Sequence, residues 1–340
     1  MVIVAMLHYR KQPHNIKKAY ICASVAKMEG IDFYFFSPSG VKFKEKTIQG
    51  YQYENGNWVL KEMPFPDVIF NVVGMKNSFQ KKVYRRLKKI IPFTSHPIGN
   101  KMQVFEKIKT IPEYAHYLIP SETIKDSQDV LSALDQYKKI IIKPLSSSQG
   151  KGLIFIERIG DQIELLEGFH REVVNVTELR TKIETVINEK EYLIQPYISS
   201  RTKDGFPFDF RIHMQKNGYG DWAITIIYPR IGSDDGIISN ISAGGYIGKL
   251  ETFLEKEYGE ESYDILRMLE QFPKRFLQKF EALYNNQFDE LGIDIGIDEN
   301  NRLWIFEVNW RPGLVYRELD AAMNTIPYAA YLANQKNSLN

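Results

Sequence analysis

Two short segments near the C-terminal end of the chain concentrate oxygen side chains: Gly292-Ile-Asp294-Ile-Gly-Ile-Asp298 and Trp304-Ile-Phe-Glu307-Val-Asn309-Trp-Arg311-Pro-Gly313. Glu307 follows Asp294 by thirteen residues with the turn residues Asn300-Asn301 between them, so pairing of two antiparallel strands brings the carboxylates together. Glu307 and Asn309 are two apart and face the same side of an extended strand. Three hard oxygen donors then converge on one surface. Such a set suits magnesium, which takes few ligands from protein while phosphates and water complete its octahedron. The competing reading has Glu307 and Asn309 satisfying backbone groups at a strand end; the apolar Ile305, Phe306 and Val308 around them favour the metal.

A second segment, Ile140-Ile-Ile-Lys143-Pro144, ends a buried-strand pattern on a lysine that must find an exit from the core, so an anion at the strand end is a fitting partner. Ser146-Ser147-Ser148-Gln149-Gly150-Lys151-Gly152 follows and leads into the strand Leu153–Arg158. Glycines let backbone N–H groups converge on phosphate oxygens, although the loop by itself reads equally well as a plain hairpin turn. Two common nucleotide motifs fail here. Leu145 stands where a P-loop needs its first glycine and Gly152 where it needs Ser or Thr, and Phe155 occupies the third glycine position of a dinucleotide fingerprint.

Between these segments, Asp209, Arg211 and His213 alternate with Phe210 and Ile212, placing three polar groups on one strand face. A solvated face with an Asp–Arg pair is the bland alternative. Arg230 closes a β run, and Asn240 precedes Ala243-Gly244-Gly245. His8, His14, His96, His116 and His170 show no metal-ligand spacing, leaving His213 as the histidine retained as a site candidate.

The elements that must carry these residues follow from periodicity. Up to about residue 95, strand and helix patterns alternate: Val2–Leu7, Asn15–Glu29, Ile31–Phe36, a hairpin turning at Asn55-Gly56, Asp67–Val73, then a basic helix Ser78–Ile90 read as a solvated face. This alternation implies a small α/β layer with a mainly parallel sheet. Helices are expected at Gly99–Ile108, Ser127–Tyr137 and Thr177–Asn188, and antiparallel strands at Asp209–Gln215 and Trp222–Tyr228. Two helical stretches flank Pro273, strands Ile293–Ile297 and Leu303–Val308 follow, and a short helix closes the chain. Lys and Arg total 44 against 42 Asp and Glu, so a net charge of +2 argues for no nucleic acid or anionic membrane surface. The single Cys22 sits in the first helix beside alanines and reads as a small buried thiol in a reducing compartment. Nothing approaches the roughly 20 apolar residues of a membrane span, so a cytoplasmic location is expected.

Lys143, the Ser/Gly loop, Leu193-Ile-Gln195-Pro196-Tyr197-Ile198, Asp209-Phe-Arg211, Asn240-Ile-Ser-Ala-Gly-Gly245, Asp294 and Glu307-Val-Asn309, in that order, resemble the ATP-grasp superfamily. Over nearly its full length the chain is similar to the YheC/YheD family of endospore coat-associated proteins, through Phe35-Phe-Ser-Pro38, Ser242-Ala-Gly-Gly245 and Phe306-Glu-Val-Asn-Trp-Arg-Pro-Gly313. The resemblance implies an α/β (α+β) ATP-grasp fold: a Rossmann-like N-terminal domain over 1–95, a central lobe over 96–191 with the phosphate loop, and a C-terminal lobe over 192–335 with the metal site. ATP and Mg2+ are the implied cofactors. Lys101 and Lys143 would hold phosphates, with Ser148, Gln149, Gly150 and Gly152 closing over them. The hinge Gln195, Pro196, Tyr197 and Ile198 would read the adenine edge, with Asp209 and Asn240 completing the nucleotide site. Asp294, Glu307 and Asn309 would bind magnesium, and Arg211, Arg230 and Arg311 would face phosphate or an acyl intermediate. Pro196 replaces a Glu common in the superfamily, which removes one backbone N–H from the adenine edge. The implied activity is carboxylate–amine ligation through an acyl phosphate. A spore-coat nucleotide-binding protein without turnover and a phosphotransferase acting on a hydroxyl are the alternatives. The implied partners are a small-molecule or peptide carboxylate, an amine and spore coat proteins.

Overall fold

The alternating patterns at the start of the chain fold as β1 (Ile3–Leu7), α1 (Lys17–Met28) and β2 (Asp32–Lys42), with β1 and β2 parallel as a crossover helix requires. In the computed structural model, residues 1–146, 152–233, 239, 245–313 and 317–337 are described. β3 (Thr47–Glu54) and β4 (Asn57–Pro64) form the expected hairpin, and Asn55 and Gly56 both take the left-handed backbone a two-residue turn demands. β5 (Val68–Asn71) pairs parallel with β1, and α2 (Ser78–Leu87) follows behind an Asn77 cap. The sheet order is β4-β3-β2-β1-β5, a parallel centre extended by an antiparallel hairpin.

α3 (Lys101–Lys109) starts with a capping box in which Asn100 and Gln103 satisfy each other's backbone N–H, fixing the first turn and the position of Lys101. After α4 (Pro112–Ala115) the central sheet assembles from β6 (Glu122–Thr123), α5 (Ser127–Tyr137), β7 (Lys139–Pro144), β8 (Ile154–Ile159), β9 (Gln162–Glu167), β10 (His170–Val174), α6 (Val176–Glu189) and β11 (Tyr192–Pro196). Its order, β10-β9-β8-β7-β11-β6, is antiparallel throughout. Val130, Leu134, Leu179 and Ile183 of the two helices bury its inner face.

The third sheet comprises β12 (Phe208–Lys216), β13 (Trp222–Ile231), β14 (Tyr246–Ile247), β15 (Glu290–Ile297) and β16 (Leu303–Trp310), in the order β14-β13-β12-β15-β16. α7 (Leu250–Tyr258) and α8 (Ser262–Glu281) cover one face, joined by Val104, Phe105 and Ile108 of α3. Instead of two helices flanking Pro273, α8 runs through it. Phe272, Phe276 and Phe280 stack at centroid spacings of 5.6 and 5.3 Å on the buried face, and burying each ring contributes roughly 1.5–3 kcal/mol, which offsets the proline penalty of about 3 kcal/mol. The closing helix is also longer than expected. α9 (Glu318–Asn337) returns to the first sheet, where Ala322, Ile326, Ala329 and Ala333 pack with Ala19, Cys22, Ala23 and Ala26 of α1. Small residues on both helices allow that close approach.

Candidate active site

All nine residues of β12 are buried, so its polar alternation is not a solvated face. Phe208, Phe210, Ile212 and Met214 face the aromatic core under α7 and α8, while Asp209, Arg211, His213 and Gln215 point to the other side. There they meet the matching face of β15, because Arg211 pairs in register with Asp294, His213 with Gly292 and Gln215 with Glu290.

Asp294 is the centre of the charged end. It is 5% exposed, and Arg211 grips it in a bidentate pair, with Nη2 donating to Oδ2 at 3.0 Å. Arg230 reaches the same carboxylate at 3.0 Å while its Nε donates to Asp209 at 2.6 Å, and the Asn309 amide donates to Asp294 at 3.2 Å. Burial acts to raise the Asp294 carboxyl, but Arg211 and Arg230 outweigh it and hold it below the ordinary carboxylate range. Burial likewise opposes the charge on Arg230, yet Asp209 and Asp294 keep it well above its usual value.

Glu307 lies directly opposite Asp294 on β16, and not by the turn alone: counted from the turn at Asp298–Arg302, Phe306 would face Asp294, and a bulge between Asp294 and Ile295 brings Glu307 there instead. Its side chain is 30% exposed and pairs with Lys101 at 3.2 Å. Lys143 enters from the central sheet, its ammonium 5.9 Å from the Phe105 ring. Burial pushes Lys143 down to about 8, with Glu307 and Asp294 acting against that shift and Lys101 adding to it. Lys101, Lys143, Asp294, Glu307 and Asn309 therefore form one electrostatic unit between the central and C-terminal sheets. Among the described residues, no group of three or more His, Cys, Asp and Glu side chains is placed to hold a metal ion.

The segment expected to form the hinge is partly tied down by its own bonds. The Gln195 side chain is buried and donates to Ser121 Oγ at 2.6 Å, so it is tied to the segment before β6. The Tyr197 N–H donates to Lys139 O at 2.9 Å and its ring meets Phe155 edge-on. Pro196 has no N–H, which leaves Ile198 as the residue of this segment whose N–H has no backbone partner among the described residues. Gly152, at the exit of the loop, has φ +75°, and a Cβ there would come within 3.0 Å of the Tyr192 hydroxyl. Ser148, Gln149, Gly150 and Asn240 lie outside the described residues.

Arg311 does not join Arg211 and Arg230. Its backbone is left-handed with φ 55°, its guanidinium stacks 4.1 Å from the Trp310 ring, and its charge is felt by Tyr84, His96 and Glu290. Sequence reasoning also missed the groups around it. Asp289 accepts from Thr94 at 2.7 Å and is pushed up by burial and by neighbouring Glu290. Glu290 sits 3.2 Å from His213 Nε2; burial opposes its charge, but Lys18, His213 and Arg311 together hold it low. Stepping back by twos along β15 from Asp294 reaches Gly292 and Glu290, so the period of a strand carried this information.

The three sheets and their helices have the architecture of an ATP-grasp fold. Residues 90–332 match the family described as YheC/D like ATP-grasp, and the chain belongs to that family. It is 24% identical over 295 residues to the endospore coat-associated protein YheD of Bacillus subtilis (strain 168), a match spanning 82% of this chain and 64% of YheD. It is 25% identical over 334 residues to YheC of the same organism, spanning 92% of this chain and 89% of YheC. Among solved structures, the D-alanine-D-alanine ligase from Coxiella burnetii matches with a TM-score of 0.56 at 11% identity, covering 100% of this chain and 98% of that one. That last similarity is one of fold.

Proposed function

We propose that this chain is an ATP-grasp ligase that binds ATP with magnesium between its central and C-terminal sheets, activates a carboxylate as an acyl phosphate and passes the acyl group to an amine. The observation that carries this reading is the convergence of two lysines from different elements, Lys101 and Lys143, on a set of hard oxygen donors. The donor chemistry fits magnesium: Glu307 is partly exposed, and the Asn309 amide, whose nitrogen faces Asp294, keeps its carbonyl oxygen. Asp294 would have to exchange an arginine contact to serve as a ligand. Magnesium, when bound, would neutralise charge on the phosphate oxygens.

The chain's own residues supply the rest. Lys143 and Lys101 hold the phosphates, and the Ile198 N–H is available to the adenine edge. A substrate carboxylate oxygen attacks the γ-phosphorus, forming one P–O bond as the bond to ADP breaks. An amine then attacks the acyl carbon, losing a proton as phosphate leaves. Arg211 and Arg230 sit where negative charge accumulates in both steps, so positioning and electrostatics carry the catalysis. Both curated relatives are named endospore coat-associated proteins, which supports an acyl acceptor or donor in the spore coat. No helix of the described residues is long and apolar enough to cross a membrane. Incubating the protein with ATP, magnesium and pools of amino acids and peptides, with hydroxylamine as the trap, tests the reading. A hydroxamate formed with equimolar ADP is expected. Nucleotide binding with no hydroxamate or amide from any pool would favour a binding protein without turnover.

A further inference from the structure

Four charged side chains, Asp209, Arg230, Asp294 and Arg211, link three neighbouring strands of the C-terminal sheet. Asp209 and Arg230 are register partners on β12 and β13, and Arg211 and Asp294 are register partners on β12 and β15. Each arginine thus has a carboxylate of its own directly across the ladder. The contact of Arg230 with Asp294 at 3.0 Å is an additional link that joins the two pairs.

The two arginines differ in what they can give up. Arg230 holds Asp209 fork to fork, its Nε donating to Oδ1 at 2.6 Å and its Nη2 to Oδ2. Among the described residues, the ion pair of Arg211 is with Asp294 alone. Burial opposes the charge on Arg230, and Asp209 offsets that more than Asp294 does; burial also opposes the charge on Arg211, and there the offset comes first from Asp294. None of the four side chains is more than 11% exposed, so a charge left without a partner here is costly.

Asp294 is crowded with donors. Its Oδ2 accepts from Arg211 Nη2 at 3.0 Å and from Asn309 at 3.2 Å and lies 3.0 Å from Arg230 Nη2, while Oδ1 accepts from Arg211 Nε. A divalent cation needs an oxygen lone pair and repels a guanidinium on that same oxygen, so an arginine contact must open. Parting Arg211 from Asp294 leaves a buried guanidinium with no carboxylate. Parting Arg230 leaves it in its fork on Asp209. We propose that Asp209 is a positioning residue for the metal site: it retains Arg230 when Asp294 turns to a divalent cation, so that the exchange strands no buried charge. The proposal rests on the ligase reading, with Asp294 among the magnesium donors. Asp209 then acts through Arg230 rather than by touching nucleotide, where the family resemblance places it, and the fork engages both of its oxygens.

The test is equilibrium dialysis of ADP against the full chain over a series of magnesium concentrations, reading the magnesium needed for half-maximal binding. Wild type, Asp209→Asn, Arg230→Gln and the double variant are compared, with thermal melts to check folding. Asp209→Asn leaves Arg230 leaning on Asp294, so the magnesium requirement should rise by about tenfold or more, the scale of a charge-assisted contact. Arg230→Gln removes the competitor and should need no more magnesium than wild type. The double variant should match Arg230→Gln, because Asp209 has nothing left to hold. A double variant as weak as Asp209→Asn would show that Asp209 meets the ligand itself or only supports the fold, and would overturn the proposal. A tenfold higher requirement in Arg230→Gln would overturn it too, and can be read even where Asp209→Asn does not fold. A requirement that folded Asp209→Asn leaves unchanged overturns this proposal and leaves the ligase reading standing, whereas absence of magnesium-dependent ADP binding by the wild type overturns both.

Discussion

Arg211 and His213 stand two residues apart on one face of β12, in surroundings of opposite character. At Arg211 each charge is matched: two guanidiniums share Asp294, and Arg230 also holds Asp209. At His213 the ring meets Glu290 through Nε2, but Nδ1, Arg311 Nε and Tyr328 Oη have no partner among the described residues. The first end is a charged cluster kept stable by mutual neutralisation. The second keeps three buried polar atoms out of any hydrogen bond.

The sharpest way to break this contrast is Asp294→Ala. Arg211 would lose its anionic partner inside the fold, and stranding one member of a buried pair costs about 3–5 kcal/mol. Urea unfolding should show that loss; a change under about 1 kcal/mol would mean the arginines are not held as described. Glu307→Gln should separate stability from chemistry. Its pair with Lys101 is partly exposed and worth roughly 0–1 kcal/mol, whereas ADP production should fall on the order of a hundredfold. Full turnover in the folded variant would remove Glu307 from the phosphate and metal site. At the other end, Tyr328→Phe deletes a buried hydroxyl that bonds to nothing, so stability should hold or rise by about 1 kcal/mol. A clear loss would show that the hydroxyl is paired.

A further effect is expected on acid stability. Burial, with help from Arg10, holds His8 down to about 4, and burial with Lys88 holds His96 down to about 4. Both are depressed below the unfolded value near 6.5, so the unfolded chain takes up protons first as pH falls. Stability is therefore full above about pH 6.5 and declines toward pH 4. His96→Gln should flatten part of that slope in thermal melts across this window, and an unchanged slope would exclude His96 as a source.

The paired carboxylates were legible because a turn and a period-two strand are local facts. Asn300-Asn301 and the spacing of Glu307 and Asn309 bring the two strands together, although the bulge that sets Glu307 rather than Phe306 opposite Asp294 was not legible. Burial was not legible. Asp209, Arg211 and His213 alternate with apolar residues whether the polar face meets water or another layer, and the layer here comes from distant chain. α9 was misjudged for the same reason: its partner, α1, lies some three hundred residues earlier, as the Lys17–Glu318 contact illustrates. Pro273 reads locally as a break, but the buried stack of Phe272, Phe276 and Phe280 carries the helix across it. Gln195 is expected in the hinge through its backbone, and what its sequence did not reveal is that its side chain is buried on Ser121, a contact across 74 residues.

The central claim is that nucleotide and metal meet between Lys143 and Glu307, and titration calorimetry of ATP into the full chain with and without magnesium tests it directly. The account predicts magnesium-dependent binding that Lys143→Met weakens by about tenfold or more, since a charge-assisted contact to phosphate is lost. Absence of ATP binding by the folded protein with magnesium present, or binding that Lys143→Met leaves unchanged, would contradict it.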